Sequence, residues 1–189
     1  MSSWAKVIIA IFVFVVLLFG LGLIYVYSGA YNIAATDEHS GFVRWMLNTT
    51  QEQSVYAHAD DVDISLPSDS VALHRGYEAY REMCVVCHGA PGQERGWIGK
   101  GLNPEPPDLS GAADAFRTEE IYWIIRHGIK MAGMPALEPT HSDEEIVELT
   151  AFVVQLSEMT EAEYRAWGGR ADQEQATEVG DGHAHAHEH

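Results

Sequence analysis

The chain has 189 residues, with 28 acidic and 11 basic side chains and a formal net charge of −17. Contacts to phosphate groups need clustered Lys and Arg, so this charge argues against a nucleic-acid binder. Two cysteines are too few for a disulfide scaffold, and by themselves they exclude a four-cysteine zinc or iron–sulfur site. The length suits one globular domain with appendages, or two very small domains.

The first feature along the chain is an uncharged apolar run at residues 7–27. A helix over this range would be about 31 Å long, which is enough to cross the hydrocarbon core of a bilayer. A cleaved signal peptide and a buried core helix are the alternatives. The run is longer than a signal h-region, and no clean small-x-small cleavage site follows it. We therefore expect a transmembrane anchor at 7–27, after a cytoplasmic stub at 1–6.

Residues 28–69 are expected to form a linker and a lead-in helical segment. The apolar residues of this segment recur at helical spacing, at Phe42, Val43, Met46 and Leu47. The following sequence DISLPSDS, at 63–70, predicts an extended connector with a helix-cap signal. No chemistry follows from this part of the sequence alone.

Helical patterns recur through residues 70–158, which we expect to form the main domain. Periodic apolar positions predict a helix over 70–86. Thr118 can cap a short helix, and a capping box that starts at Ser142 predicts a longer one. Residues 88–113 are rich in glycine and proline, so we expect them to be mostly loop.

The chain ends in residues 159–189, where we expect one short helix and then a disordered tail. Thr160 and Glu163 can begin the helix, and the sequence after Gly168 is polar and aperiodic. The last residues, GHAHAHEH, alternate histidine with small or acidic residues. Imidazoles bind zinc, copper and nickel, so a metal-binding tail, a solvated tail and a remnant of an affinity tag are all open interpretations.

Both cysteines lie in the sequence CVVCH, residues 84–88. Two thiols three positions apart can each add to one vinyl group of a haem, and the next residue offers an imidazole to the iron. This spacing is typical of c-type haem attachment. A thioredoxin-like redox pair would need a βαβ context, which the sequence does not show. Half of a zinc site, completed by His127, His141 or the tail, would lack the usual paired spacing.

A second axial ligand is expected downstream of His88, in a loop. Methionine is the ligand that raises the haem potential and favours electron transfer. The candidates are the three methionines after the motif, Met131, Met134 and Met159. Met134 is followed by Pro135 inside a glycine-rich loop, and the fixed φ of proline helps to hold such a loop in one shape. We favour Met134, and keep His127 and His141 as outside candidates.

Residues 70–158 resemble class I cytochrome c. The positions that carry the resemblance are Gly76, Tyr80, Cys84, Cys87, His88, Gly89, Pro107, Leu109, Met134 and Pro135. The resemblance implies an all-α domain of three to five helices around a covalent haem. The helix before the motif would cross a C-terminal helix. At the crossing, Gly76 and Tyr80 of the first helix would pack against Leu149 and Phe152 of the second.

The resemblance also implies a set of cofactor-binding residues. These are Cys84, Cys87, His88, Pro107, Leu109 and Met134. The two cysteines would hold one haem c, and His88 and Met134 would be the axial ligands of its iron. Leu109 would pack on the ring, and the carbonyl of Pro107 would accept a hydrogen bond from the far nitrogen of His88.

The segment GLNPEPPDL, at 101–109, is similar to one seen in bacterial membrane-anchored monohaem cytochromes. That resemblance implies single-electron transfer between respiratory components. It also implies a single-pass protein of the bacterial inner membrane, held in lipid by residues 7–27. The haem domain would be periplasmic, because c-type haem is attached outside the cytoplasm.

Two other functions stay open at this point. One is a haem c subunit of a larger membrane dehydrogenase or oxidase complex, and the other is a haem sensor with an open sixth position. No nucleophile with its base and no phosphate-binding loop is evident in the sequence, so we expect no catalytic residues. All 28 acidic residues follow residue 27, which predicts a redox partner with a basic docking patch.

Overall fold

Helices form all the regular secondary structure of residues 2–169, which are the residues that the computed structural model describes. No strand is present in that range, where two isolated bridges pair Ala90 with Gln93 and Ile129 with Met134. The all-α prediction is therefore confirmed. The predicted disordered tail lies outside the described residues.

The chain divides into two units, and the first unit ends at Glu38. It contains helix α1, Ser3–Tyr27, whose first turn is capped by the Ser2 side chain. The apolar part of α1 has a mean hydropathy of 3.3, and none of its side chains is buried. By length and composition α1 is able to cross a membrane, as predicted for 7–27. The helix begins earlier than the predicted span and includes Lys6.

The second unit begins at His39 and contains the other helices. In chain order these are α2 (Gly41–Ala59), α3 (Ser70–Ala79), α4 (Val85–His88), α5 (Trp97–Gly101), α6 (Ala112–Ala115), α7 (Thr118–His127), α8 (Asp143–Leu156) and α9 (161–169). A π-helical turn at Tyr80–Cys84 joins α3 to α4. A 3₁₀ turn at Leu109–Gly111 leads into α6.

Several helix boundaries differ from the predicted ones. The helix predicted over 70–86 continues to His88, because α4 follows the π-helical turn without a break. The region 88–113 is mostly loop as expected, but it also contains the short helix α5 and the start of α6. Helices of four or five residues show too little periodicity to be recognised in a sequence. At α7, Arg117 occupies the capping position predicted for Thr118.

The crossing of α3 and α8 forms the centre of the core. A Cβ on Gly76 would lie 2.2 Å from the backbone oxygen of Glu148, so the two helices approach this closely because residue 76 has no side chain. Tyr80 and Phe152 are fully buried, with their ring centroids 5.5 Å apart. Leu149 is buried in the same cluster. The structure therefore contains the crossing that the resemblance implied.

Helix α2 packs against α7 and so belongs to the second unit. Val55 and Ala59, near the C-terminal end of α2, are almost completely buried. Arg117 connects the two helices, because its guanidinium group donates to Asp60 Oδ1 at 2.9 Å and to Glu120 Oε1 at 2.6 Å. The segment that the sequence assigned to a lead-in is thus partly a component of the folded domain.

Helix α9 covers another side of the core with aromatic side chains. Tyr164 is buried and Trp167 is half-buried, and their ring centroids lie 5.6 Å and 6.0 Å from that of Tyr77. The helix follows a capping box in which Thr160 N donates to Glu163 Oε2 at 2.8 Å and Glu163 N donates to Thr160 Oγ1 at 3.3 Å. The core of the second unit thus extends beyond α8.

Candidate functional site

The CVVCH motif lies at the end of the helical segment that begins with α3. The π-helical turn Tyr80–Cys84 precedes α4, and α4 contains Cys87 and His88. π-helical turns inside longer helices are frequent at functional sites. Residues three apart on a helix are neighbours on one face, so Cys84 and Cys87 share a face. Both thiols are free and half-buried, so the motif offers two unpaired thiols and an imidazole within one turn.

Burial is the main influence on the Cys84 thiol. With a smaller effect from the nearby Cys87, it raises the pKa of Cys84 to about 12. A zinc site would need further ligands close to the two thiols. Among residues 2–169, no group of three or more His, Cys, Asp and Glu side chains is placed to hold a metal ion. The described part of the chain therefore does not assemble the zinc site that was left open.

The imidazole of His88 is oriented by a hydrogen bond to the backbone. Its Nδ1 lies 2.8 Å from the carbonyl oxygen of Pro107. Since a carbonyl can only accept, Nδ1 carries the proton and Nε2 keeps a free lone pair. Burial lowers the pKa of His88, against the opposing effect of this hydrogen bond. The ring is therefore neutral at physiological pH and able to bind a metal through Nε2.

Pro107 and Leu109 belong to a segment that is attached to the rest of the domain. The Asp108 side chain caps the 3₁₀ turn by accepting a hydrogen bond from Ser110 N at 2.9 Å. Ser157, at the end of α8, donates through Oγ to the carbonyl of Leu109 at 3.4 Å. The Leu109 side chain is half-buried against the core. These contacts hold the Pro107 carbonyl in position to accept from His88.

Met134 lies in a short turn between α7 and α8. Ile129 N donates to Met134 O at 3.1 Å, and Ala132 N donates to Ile129 O at 3.2 Å. Gly128 ends α7 with a φ of 63°. A Cβ at this position would lie 2.6 Å from the backbone oxygen of Met134 and 2.6 Å from the carbonyl carbon of Pro135. A side chain at residue 128 would thus meet both a strained backbone and a steric clash. The Met134 side chain is half-buried against the core.

The other candidate ligands have different surroundings. Met131 is 93% exposed at the tip of the turn, and Met159 packs against the core after α8. His127 is exposed, with Nδ1 at 3.5 Å from Glu138 Oε2. His141 Nδ1 lies 2.9 Å from the hydroxyl of the preceding threonine. Met134 and Met159 are thus both half-buried against the core, and Met134 is the one that lies in the loop between α7 and α8, where the ligand was expected.

The donor set of the site fits a haem c. Two free thiols on one face of a helix suit two thioether bonds, and a neutral imidazole with a free nitrogen suits an axial ligand. Apolar side chains that pack on the core without being fully buried are present in the same domain. They include Met83, Leu109, Phe116, Met134, Leu137 and Val154.

The sequence did not predict the hydrogen bond between Tyr80 and Gly89. The Tyr80 hydroxyl donates to the carbonyl of Gly89 at 2.7 Å, directly after the motif. Beyond it, Ala90 and Gln93 exchange backbone hydrogen bonds of 2.9 and 2.7 Å, which fold the chain back. The aromatic ring was recognised from its helical spacing. Nothing local in the sequence signals the bond of its hydroxyl.

Residues 71–153 match a protein-family model described as Cytochrome C oxidase, cbb3-type, subunit III. The match begins in α3 and ends in α8, so it contains the motif, the 3₁₀ turn and the Met134 turn. Helices α1, α2 and α9 lie outside it. Comparison of the chain with curated proteins gave no match.

Proposed function

Since residues 71–153 belong to a class I c-type cytochrome family, we propose that the chain is a membrane-tethered monohaem cytochrome that transfers single electrons between respiratory components. The observation that carries this proposal is the CVVCH motif, which begins at the last residue of the π-helical turn and continues through α4. It presents two free thiols and the His88 imidazole, whose orientation is fixed by Pro107.

The residues of the site would share the work of holding one haem c. Cys84 and Cys87 would bind it covalently, and His88 would bind its iron through Nε2. Met134 would be the second axial ligand, and Leu109 would cover part of the ring. A bound haem c supplies an iron centre that changes its oxidation state by one electron. Because hydrogen bonds fix the ligand-bearing segments, the same ligands would be kept in both oxidation states.

Helix α1 would serve as the tether. It is long and apolar enough to cross a membrane, and c-type haem is attached outside the cytoplasm. We therefore place the haem domain on the periplasmic side of the bacterial inner membrane, with residues 7–27 in lipid. A tether raises the effective concentration of a carrier near membrane-bound donors and acceptors.

The acidic surface of the protein would select its redox partner. All 28 acidic residues follow the membrane span, against ten of the 11 basic ones. Charges of opposite sign steer association and raise its rate. The partner would thus present a basic patch, and electron transfer to it would slow as the ionic strength rises.

A second candidate function is that of a haem c subunit in a larger complex. The description of the matching family model, an oxidase subunit, favours it. Both functions use the same site and differ in what surrounds it. Native mass measurement after mild detergent extraction separates them. A monomer supports the tethered carrier, whereas a stable assembly with other chains supports the subunit.

The experiment that tests the haem assignment is a pyridine haemochrome assay on the full chain. We expect one covalently bound haem per chain, and its loss in the double variant Cys84→Ala/Cys87→Ala. Absence of covalent haem from the wild type would overturn the proposal.

The ligand assignment is tested with Met134→Ala, in which the far-red sulfur-to-iron charge-transfer absorption of the oxidised protein should disappear. Met159→Ala is the matched control and should keep the band. A band that persists in Met134→Ala would show that another group binds the iron.

A further inference from the structure

The chain that returns after Met134 is hydrogen-bonded to the end of α7 at Arg126. Leu137 N and Glu138 N donate to the backbone carbonyl of Arg126, at 3.1 and 3.0 Å. Residues 127–136, which include Met134, therefore form a loop that is closed at its base by Arg126.

The guanidinium group of Arg126 binds the same returning chain. Its Nη2 and Nε donate to Glu138 Oε1 at 2.7 and 3.2 Å, and its Nη1 lies 2.8 Å from Asp143 Oδ1. Nη1 also donates to the hydroxyl of Tyr122 at 2.7 Å, which holds the group on α7. The Arg126 side chain is 25% exposed. Bonds between charged partners in such a half-buried position are stronger than neutral ones.

This arrangement differs from an ordinary surface ion pair. An isolated exposed pair contributes little, because solvent screens it and both side chains lose freedom. Here the backbone carbonyl of Arg126 accepts two hydrogen bonds, and its guanidinium group contacts two carboxylates and a hydroxyl. The hydrogen bond from Arg126 also holds the pKa of Glu138 below its usual range, so this partner stays charged. The loop is therefore anchored on both its backbone and its side chains.

We infer that Arg126 is a positioning residue for Met134. It closes the loop that presents the methionine sulfur, and it does so without belonging to the ligand set. This inference rests on the proposed role of Met134 as an axial ligand. A thioether carries no charge, so its hold on iron depends on how firmly the protein presents it. Loosening the loop should let an external ligand replace it more easily.

The test is a titration of the oxidised full-length holoprotein with imidazole, which competes with the methionine for the iron. Loss of bonds to a charged group predicts that Arg126→Met binds imidazole at least about tenfold more tightly than the wild type. The far-red sulfur-to-iron band should weaken in the same variant. Arg126→Lys, which keeps the charge and part of the bonding, should restore some of both properties. Covalent haem content is measured in parallel and should not change.

Arg75→Met is the matched control, because Arg75 also pairs with two carboxylates, those of Glu144 and Glu148, but lies on α3. It should leave the imidazole affinity unchanged even where it lowers thermal stability. If Arg126→Met fails to fold, Glu138→Gln removes the charge of the exposed partner and should strengthen imidazole binding to a smaller extent. If Arg126→Met and Glu138→Gln bind imidazole with the affinity of the wild type, Arg126 does not position Met134.

The variant Met134→Ala separates this inference from the proposed function. If Met134→Ala binds imidazole much more tightly and the Arg126 variants do not, Met134 is the ligand and Arg126 does not position it. If Met134→Ala behaves like the wild type, Met134 is not the ligand, and both the assignment and the inference are wrong.

Discussion

The Tyr80 hydroxyl donates a hydrogen bond to the backbone carbonyl of Gly89 at 2.7 Å, inside the core. Tyr80 begins the π-helical turn that ends at Cys84, and Gly89 directly follows His88. The bond therefore joins the two ends of the haem-binding segment. Burial raises the pKa of Tyr80, so the hydroxyl keeps its proton and remains a donor at neutral pH.

Replacement of Tyr80 by phenylalanine should destabilise the protein while keeping its packing. The variant leaves the buried carbonyl of Gly89 without its partner, which costs about 1–3 kcal/mol in the free energy of unfolding. Urea unfolding of the holoprotein measures this quantity. Tyr77→Phe is the matched control, because Tyr77 is also buried, one turn earlier in α3. Equal losses in the two variants would mean that the bond to Gly89 makes no specific contribution.

Gly76→Ala should be strongly destabilising. The added Cβ would lie 2.2 Å from the backbone oxygen of Glu148, and neither backbone can move away without separating α3 from α8. Overpacking of a core costs about 1–3 kcal/mol, and a contact with backbone belongs at the upper end of that range. Gly101→Ala is the control, since a Cβ there meets no atom within 4 Å. Thermal unfolding of both holoproteins compares them. A Gly76→Ala protein as stable as the control would contradict the observed crossing.

What the sequence could predict depended on how local each feature is. The CVVCH motif is five consecutive residues, so its spacing could be recognised directly. Helix α1 was predicted from its uninterrupted apolar run, and α8 from its capping box and the helical spacing of its apolar residues. The short helices α5 and α6 carry neither signal, so they were not predicted within a region expected to be mostly loop.

Contacts between distant residues that the resemblance did not imply were not predicted. The bond between Arg117 and Asp60 joins residues 57 positions apart, so the packing of α2 on α7 left no local pattern. The bonds of Arg126 to Glu138 and Asp143 appear only once the Met134 loop has returned to α7. These contacts decide how firmly the site is held, and they depend on the tertiary structure.

The packing of α2 on the haem domain predicts a position-specific effect of a larger side chain. Ala59 is 1% exposed, whereas Ala57 on the same helix is exposed. Ala59→Leu should overpack the contact and cost about 1–3 kcal/mol, and Ala57→Leu should be close to neutral. Hydrogen exchange should show faster exchange of the α2 amides in Ala59→Leu, with α8 unchanged. Equal exchange in the two variants would mean that α2 is not held by this contact.

The capping box of α8 predicts how one carboxylate contributes to stability at low pH. Ser142 donates to Glu145 Oε2 through both its backbone N–H and its hydroxyl, at 2.8 Å each, and these bonds hold the pKa of Glu145 below its usual range. A group with a lower pKa in the folded state stabilises the protein above its unfolded pKa, and this contribution disappears as the pH falls through the folded pKa. Glu145→Gln should therefore be less stable than the wild type at neutral pH, and the difference should shrink in acid. Urea unfolding at a series of pH values measures it, with Glu158→Gln, an exposed position just after α8, as the control. A difference that stays constant into acid would show that the Glu145 carboxylate is not stabilised by the cap.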